Sequence, residues 1–315
     1  MSEAVQRADR YLRKNAAKSE ERRKSHAQRG RRGKAASWLF LLPSLFGVGL
    51  FFVAPFCVVI RYSLVNNPVQ GRFVGIGNYI RVLGNGAFLL AAKNTLLFSA
   101  IAVPLAVALS LWLAVIMESR IPFRSQFRSF FLTPMMVPVA SVILIWQVLF
   151  DYNGLVNVWL TKIGIDKIDW LKSPYAPLVV VLLFLWKNLG YNMILFMAGL
   201  SAVPRDQIEV ARLESASERQ IFWLIKIRYL SSTIAFVTIM SLINSFKVFR
   251  EVYLLTGDYP FDSLYLLQHF MNNTFQSLDY QKLSAAAVIM AAAAAAAAVR
   301  NHRGTQISGT VSEEP

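Results

Sequence analysis

The segment Pro204–Leu230, PRDQIEVARLESASERQIFWLIKIRYL, carries nine charged side chains and lies between two long apolar runs. So many charges cannot lie in hydrocarbon, and the segment therefore predicts a loop in water between two membrane spans. Asp206 with Glu209 three residues later, and Ser217 with Gln220 three residues later, predict the capped starts of two short helices. The apolar face of the second helix consists of Ile221, Phe222, Leu224 and Ile225.

Two interpretations of this helical hairpin stay open on the residues alone. It offers Glu209 and Arg212 to water, which is typical of a docking element for a soluble partner. The alternative is an ordered connection between two spans that contacts no other protein.

The composition is that of a membrane protein. Of the 315 residues, 55% are hydrophobic and 16% are charged, and the mean hydropathy is +0.43. Cys57 is the single cysteine, so neither a disulfide within the chain nor a thiolate metal site is expected. The three histidines are far apart, and the sequence has no P-loop, HExxH or GxSxG pattern. We therefore expect no enzymatic activity, no metal and no cofactor on this chain.

Six apolar stretches are long enough to cross a hydrocarbon core of ~30 Å. They predict an all-α membrane protein with spans at Trp38–Ile60, Asn94–Met117, Ser129–Phe150, Pro174–Pro204, Tyr229–Phe246 and Leu283–Val299. The fifth stretch continues through Lys247, Arg250 and Glu251 towards Leu255. Eight consecutive alanines at 291–298 give the sixth span little transfer free energy, so it needs packing against neighbouring helices.

The basic residues predict the orientation of the spans. Residues 1–37 hold twelve lysines and arginines, which is typical of a cytoplasmic tail touching anionic lipid; a nucleic-acid arm is the less simple interpretation. Outside the spans, 22 basic residues lie in the segments 1–37, 117–128, 205–228 and 300–315, and 7 lie in the predicted loops 61–88, 151–174 and 257–282. The positive-inside rule thus places both tails (1–37 and 301–315) and the loop 204–230 in the cytoplasm, around a transmembrane domain at 38–300.

The loop also carries a motif, Glu209-Val210-Ala211, Glu214-Ser215-Ala216-Ser217, Gln220, Phe222 and Ile225. This pattern resembles the EAA loop of permease subunits of binding-protein-dependent (type I) ABC importers. Ser215 stands where that family has glycine, and Arg228 where it has proline. The resemblance implies a cytoplasmic coupling helix between spans four and five, with the ATPase-coupling residues Glu209, Ala211, Arg212, Glu214, Ser215 and Ala216.

Further motifs follow in the order found in the carbohydrate branch of that family. They are FVGIGNY at 73–79, KNTL at 93–96, the stretch from Phe123 to Trp146, and FKVF at 246–249 with LTG at 255–257. They are similar to motifs of maltose and glycerol-phosphate permeases and together cover residues 38–300. The resemblance implies import of a sugar or oligosaccharide, with a non-sugar solute such as a phosphorylated polyol as the alternative.

The same resemblance implies an assembly in the cytoplasmic (inner) membrane of a prokaryote. Its partners are a second homologous permease, two cytoplasmic ABC ATPase subunits that hold ATP and Mg, and an extracytoplasmic solute-binding protein. No nucleic acid is expected. A secondary transporter is a weaker alternative, because it needs coupling carboxylates in the membrane and spans one to four contain no Asp or Glu. A membrane scaffold without transport explains neither the capped loop nor the polar helix faces.

Polar residues one helical turn apart in spans four and five mark a candidate substrate path. These residues are Asn188, Tyr191 and Asn192 in span four, and Ser241, Asn244 and Ser245 in span five. Neutral donors and acceptors suit sugar hydroxyls, whereas the alternative is that they hydrogen-bond across the helix bundle. The resemblance favours the path, since family members line their cavity from these two spans. Lys187 stays open, and it gains interest if the substrate is acidic; Lys247, Arg250 and Glu251 are interpreted as snorkelling or paired structural charges.

Overall fold

The computed structural model describes residues 41–67, 70–118 and 123–310. Within these ranges the fold is helical, and the one strand-like contact there is an isolated antiparallel bridge between Val65 and Phe73. The predicted basic tail at 1–37 and residues 311–315 lie outside the described residues. The all-α prediction is confirmed.

The helices divide the described chain into long apolar elements and shorter connecting ones. In chain order they are α1 (Ala54–Ser63), α2 (Gly77–Leu83), α3 (Gly86–Glu118), α4 (Arg124–Met136), α5 (Val139–Phe150), α6 (Leu155–Lys162), α7 (Ala176–Ser201), α8 (Arg205–Leu213), α9 (Glu218–Gln220), α10 (Ile227–Phe246), α11 (Phe249–Thr256), α12 (Leu267–Gln276) and α13 (Tyr280–Thr310). Two π-helical stretches, Gly49–Val53 and Ile221–Lys226, precede α1 and α10, and a 3₁₀ turn spans Asp262–Leu264.

Six helical stretches are long and apolar enough to cross a membrane, as the sequence predicts. They are Leu41–Ser63, Gly86–Glu118, Val139–Lys162, Ala176–Ser201, Glu218–Thr256 and Tyr280–Val299. The number and order of the predicted spans are therefore confirmed, while several of their boundaries shift.

The chain divides into two compact units, one ending at Arg61 and the other starting at Tyr62. The described part of the first unit, residues 41–61, is helical and mostly apolar, and none of its side chains is buried. A helix that is apolar on all sides is suited to surroundings of lipid or other membrane helices.

The core of the second unit is built on three long helices, α3, α7 and α10, which pack on one another. Fully buried alanines of α3, Ala102 and Ala106, share a cluster with Phe184 of α7, and Ala114 shares another with Phe196. Small residues let helix backbones approach closely, and this packing replaces the hydrophobic driving force that is missing between helices in lipid.

The third predicted span, Ser129–Phe150, is not one helix. The helix α4 ends at Met136 and α5 begins at Val139. Val137 is extended (φ −82°, ψ 135°) because a proline disfavours helical backbone at the residue before it, and Pro138 has no N–H for the helix. The span of the structure accordingly starts at the break, and α4 packs separately against α7.

The contact between α4 and α7 depends on a glycine. A Cβ atom at Gly190 would lie 1.8 Å from the carbonyl oxygen of Phe131, far inside van der Waals contact. The two backbones are therefore packed at a distance that only glycine permits.

The segments predicted as polar loops between spans, 61–88, 151–174 and 257–282, contain the short helices α2, α6 and α12. In the second of these segments, 151–174, the side chain of a buried asparagine bonds to surrounding groups. The amide nitrogen of Asn157 donates to the carbonyl of Ile168 (2.7 Å), and its oxygen accepts from the Trp170 ring N–H (3.1 Å). Such bonds satisfy irregular backbone and buried donors that no regular helix would pair.

Two motifs that resemble the permease family have structural roles of the same kind. Asn78, in FVGIGNY, donates to the carbonyl of Ser63 at 2.9 Å. Asn94, in KNTL, donates to the carbonyls of Asp262 and Tyr265 at 2.6 and 3.0 Å, which ties α3 to the segment before α12.

The alanine-rich helix α13 is packed mainly through its first turns. Ala285 and Ala286 are buried in a cluster with Val82 and Phe88, while the alanines at 291–298 are exposed or half-buried. The marginal sixth span thus packs against the neighbouring helices α2, α10 and α12.

Candidate functional site

The charged loop, residues 204–230, begins with α8. Pro204 stands at the N-cap position, and no side chain caps this helix. The prediction that Asp206 is the cap is therefore wrong: the cap position lies two residues earlier, at Pro204, and Asp206 lies in the first turn of the helix, where a carboxylate interacts favourably with the helix dipole.

The turn after α8 closes on Ser215, whose φ is +64°. The Ser215 N–H donates to the carbonyl of Arg212 (3.0 Å), and the Ala216 N–H donates to the carbonyl of Ala211 (2.9 Å). This is a Schellman motif, which requires a left-handed residue at the position of Ser215. Glycine has no steric penalty there, whereas Ser215 makes the same turn at a cost of about 1–2 kcal/mol.

The second predicted cap is confirmed. The Ser217 hydroxyl accepts from the Gln220 N–H, and the Gln220 side chain accepts from the Ser217 N–H at 2.8 Å. A separate second helix, however, is not formed, because α9 continues through the π-helical stretch Ile221–Lys226 into α10. Arg228, where a proline would remove a backbone donor, leaves this continuity intact.

The exposed face of α8 carries charges that differ in their local pairing. Glu209 and Glu214 are exposed, and neither carboxylate has an ion-pair partner among the described residues. Arg212 reaches across the turn to Glu218, with its terminal nitrogen 2.8 Å from the carboxylate. Ala211 and Ala216 contribute through the backbone hydrogen bond of the turn.

Apolar side chains accompany these charges on the exposed surface of α8. Val210 and Leu213 of α8 are 53% and 86% exposed, although Ile208 of the same helix packs into the bundle core. These two apolar side chains lie on the same exposed helix as the carboxylates of Glu209 and Glu214. The sequence signal that could have identified this surface is that the apolar residues of α8 lie on more than one face of the helix.

An ion pair fixes the far end of the charged loop to the bundle. Lys226, whose side chain is 13% exposed, lies 2.7 Å from the carboxylate of Glu118 at the end of α3. Because the partners are 108 residues apart in sequence, no spacing rule could predict this contact.

A cavity of about 580 Å³ lies beside the middle of α7 and is bordered by α4, α10, α11 and α12. Three of the six predicted path residues, Asn188, Tyr191 and Asn244, line it together with Gln268. The Asn244 amide donates to the side-chain oxygen of Asn188 at 3.0 Å, so the two predicted polar faces meet here.

The other three predicted path residues lie outside the cavity lining. Asn192 donates to the Ser241 hydroxyl at 2.9 Å, and both residues are buried between α7 and α10. The Ser245 hydroxyl lies 2.9 Å from that of Ser99 on α3. These contacts match the alternative interpretation, in which polar residues join helices within the bundle.

Four charged side chains also line the cavity. Glu251 is 5% exposed and pairs with Lys187, while a nitrogen of Arg250 lies 3.6 Å from the same carboxylate. Lys247 is exposed and has no ion-pair partner among the described residues. The described residues also hold no group of three or more His, Cys, Asp or Glu that could bind a metal ion.

Comparison with known proteins places these features in a family. A family described as "binding-protein-dependent transport system inner membrane component" matches residues 106–300. The chain is 30% identical to the lactose transport system permease protein LacF of Rhizobium radiobacter over 251 residues, which are 76% of this chain and 83% of that protein. It is 31% identical to the trehalose/maltose transport system permease protein MalF of Thermococcus litoralis over 228 residues, 71% of this chain and 77% of the relative.

A solved structure has the same fold. It is a bacterial ABC transporter involved in the import of the acidic polysaccharide alginate, and its matching chain superposes with a TM-score of 0.75 at 18% identity. The match covers 87% of this chain and 96% of that one. Since the family pattern extends over most of the helical bundle and relatives match at 30% identity, the chain belongs to the family of binding-protein-dependent transport system inner membrane components.

Proposed function

We propose that this protein is the transmembrane permease subunit of an ATP-driven ABC importer that takes up a carbohydrate. The observation that carries the proposal is the cavity beside the middle of α7, where Asn188, Tyr191 and Asn244 offer neutral hydrogen-bonding groups. A few convergent polar groups on a mostly apolar wall are typical of a small-molecule site, and amides suit sugar hydroxyls. The relatives named for lactose and trehalose/maltose transport support a sugar over another solute.

Within this path we divide the six predicted residues into two groups. Asn188, Tyr191 and Asn244 contact the solute, because they line the cavity. The remaining three, Asn192, Ser241 and Ser245, hold α7, α10 and α3 together, because they are buried and bonded between helices.

The ATPase subunits, which hold ATP and Mg, are proposed to bind the exposed face of α8. Glu209 and Glu214 supply free carboxylates, Arg212 supplies a cation, and Val210 and Leu213 supply apolar surface. The chain from Glu218 to Phe246 is helical without a break, so a movement of α8 is transmitted along it to the cavity residue Asn244. Closure of the ATPases thereby shifts the bundle between outward and inward states.

The proposed orientation follows from the basic residues. With 22 of them on one side and 7 on the other, both termini and the charged loop lie in the cytoplasm of a prokaryote, and α6 lies at the extracytoplasmic end of the third span. A second permease subunit completes the transmembrane part, and an extracytoplasmic solute-binding protein delivers the sugar from the side of α6.

Uptake by the reconstituted complex tests the proposal. Proteoliposomes that contain this chain, its permease partner, the ATPase subunits and the binding protein would be loaded with ATP and given a panel of radiolabelled neutral and acidic saccharides. We expect uptake that requires internal ATP, stops with vanadate and continues with a protonophore. Uptake that follows an ion gradient without ATP would contradict the proposal and indicate a secondary transporter.

A pair of variants locates the path. Asn244→Leu places an apolar side chain in the cavity and should reduce uptake at least tenfold while the complex still assembles. Ser241→Leu, at a site with no free space between helices, should instead reduce assembly. The opposite pattern would move the path from the cavity to the face of Ser241 and Ser245.

A further inference from the structure

The charged groups at the cavity indicate the charge of its solute. Three cations and one carboxylate line it: Lys187, Lys247, Arg250 and Glu251. We infer that the solute is an anionic saccharide, and that its carboxylate or phosphate group binds to Lys247 and Arg250. This inference rests on the proposed carbohydrate function and adds to it the chemical class of the sugar.

The single carboxylate is already neutralised within the protein. Glu251 is almost fully buried and pairs with Lys187, which joins α11 to α7. Removing Lys187 would leave the Glu251 carboxylate buried without its main counter-charge, which is strongly destabilising. Lys187 and Glu251 therefore form an internal pair, and neither charge is available to a solute.

The remaining two cations have no equivalent partner. Lys247 is exposed and makes no ion pair with a described residue. The Arg250 side chain is 64% exposed, and its one carboxylate contact, at 3.6 Å, is to the Glu251 oxygen that Lys187 already holds. The cavity thus carries an excess of two positive charges.

The break between α10 and α11 brings these two cations to the same region. Lys247 follows the last residue of α10, and the Arg250 N–H donates to the Lys247 carbonyl at 3.3 Å. Residues three apart across such a turn are neighbours on one face. A single anionic group can therefore contact both side chains.

Charge and hydrogen-bonding groups in the cavity together define the solute. A net excess of two positive charges within a membrane span is costly, and an entering anion relieves that cost, whereas a neutral sugar does not. The amides of Asn188, Asn244 and Gln268 and the phenol of Tyr191 meet hydroxyl groups in the same volume. A saccharide that carries an acidic group can bind both the cations and the neutral hydrogen-bonding groups.

The test compares three radiolabelled probes in the reconstituted importer with its binding protein: digalacturonate, its neutral counterpart galactobiose, and galactose 6-phosphate. The variants are Lys247→Gln, Arg250→Gln and the charge-conserving Lys247→Arg. Lys172→Gln removes an equivalent charge from an exposed residue outside the cavity lining and is the matched control. Co-purification of the partner subunits confirms assembly of each variant.

We expect the wild-type complex to take up one of the acidic probes in preference to galactobiose, and the identity of that probe distinguishes a carboxylate from a phosphate. Lys247→Gln and Arg250→Gln should each reduce its uptake by about ten- to hundredfold, which is the loss expected for one charge-assisted bond. Galactobiose uptake should fall much less than uptake of the acidic probe, and Lys247→Arg should restore much of the activity.

Two results would overturn the inference while leaving the carbohydrate function intact. One is preferred uptake of galactobiose. The other is uptake of the acidic probes that is unchanged in both glutamine variants, which would mean that Lys247 and Arg250 snorkel to lipid or pair with the partner permease. If none of the probes enters in an ATP-dependent manner, the proposed function fails as well.

Discussion

Residues of one sequence motif in the charged loop have different physical roles. Ala211 and Ala216 contribute backbone hydrogen bonds, Ser215 contributes a left-handed conformation, and Glu209 presents an exposed carboxylate. A motif read from sequence shows which residue types occur together, but backbone angles and exposure decide what each of them does.

Glu209 provides the first prediction at this scale. No side chain caps α8, so Glu209→Gln should leave that helix intact. If Glu209 binds a basic group of the ATPase, the variant loses a charge-assisted bond of ~1.5–3 kcal/mol, and uptake and solute-stimulated ATP hydrolysis should fall by about ten- to hundredfold. Asp166→Asn, at an exposed acid outside the loop, is the control. Wild-type transport by Glu209→Gln would exclude the docking role.

Ser215 provides the second prediction at the residue scale. Ser215→Gly removes the strain of a left-handed serine, and after the entropy cost of glycine a gain of up to about 1 kcal/mol remains. Ser215→Val places a branched side chain at φ +64° and should weaken the turn. Amide hydrogen exchange over α8 measures both effects, slower in the glycine variant and faster in the valine variant. Ala216→Gly, at a position without positive φ, should bring no gain, and a gain equal to that of Ser215→Gly would contradict the strain argument.

His269 provides a prediction about pH. This residue of α12 is fully buried, its Nδ1 accepts from the Leu266 N–H at 3.2 Å, and desolvation lowers its pKa to about 4. In the unfolded chain it titrates near 6.5, so between about pH 6.5 and 4 only the unfolded state binds the proton, and stability falls as the pH falls. His269→Asn keeps an acceptor near Nδ1 and should flatten this part of the profile of thermal midpoint against pH. Parallel profiles for the two proteins would show that His269 does not contribute.

Among the secondary-structure elements, apolar length was a sufficient signal for the six spans, and Pro138 marks the break in the third one directly. The continuity of α9 into α10 was not predictable from the sequence. A high density of charged residues indicates that a segment is in contact with water, but a helix can continue through water as well as through lipid. The sequence also does not show which of the six predicted path residues line the cavity and which pack between helices. A spacing of i, i+4 places Ser241 and Ser245 on one helix face, but it does not show whether that face meets a cavity or another helix. Long-range pairs such as Lys226–Glu118 have no local signal at all.

Gly190 gives the prediction for packing between elements. Gly190→Ala would force α4 away from α7, since the new Cβ would lie 1.8 Å from backbone of Phe131 that cannot rotate aside. We expect a loss of about 2 kcal/mol or more in stability, seen as a lower thermal midpoint and poorer assembly. Gly86→Ala, with nothing within 4 Å of the added atom, is the control and should be neutral. A neutral Gly190→Ala would mean that the two helices are not held at this distance.

At the scale of the whole molecule, the proposed orientation depends on how the basic residues are distributed along the chain. The excess of 22 over 7 basic residues is a property of many separate segments, so no single substitution should reverse it. The exposed apolar surface of the long helices is equally general and suits contact with lipid and with a second permease.

Cysteine labelling checks the orientation. In a Cys57→Ala background, Asn153→Cys should react with a membrane-impermeant maleimide on intact cells, and Ser217→Cys should react only after the cells are opened. Both positions are exposed in the structure. Labelling of Ser217→Cys from outside would place the charged loop on the wrong side for an ATPase.

The ion pair between Lys226 and Glu118 attaches the continuous helix of residues 218–246 to the bundle near one end, so that the helix can pivot about this point. At 1.5 Å per residue, the arm from Lys226 back to Glu218 is about 12 Å and the arm forward to Asn244 is about 27 Å. A rocking motion of about 1 Å at the Glu218 end therefore moves the cavity end by roughly 2 Å in the opposite direction. That displacement is enough to break the 3.0 Å contact between Asn244 and Asn188, so a small movement at the proposed ATPase contact would open or close the proposed solute site.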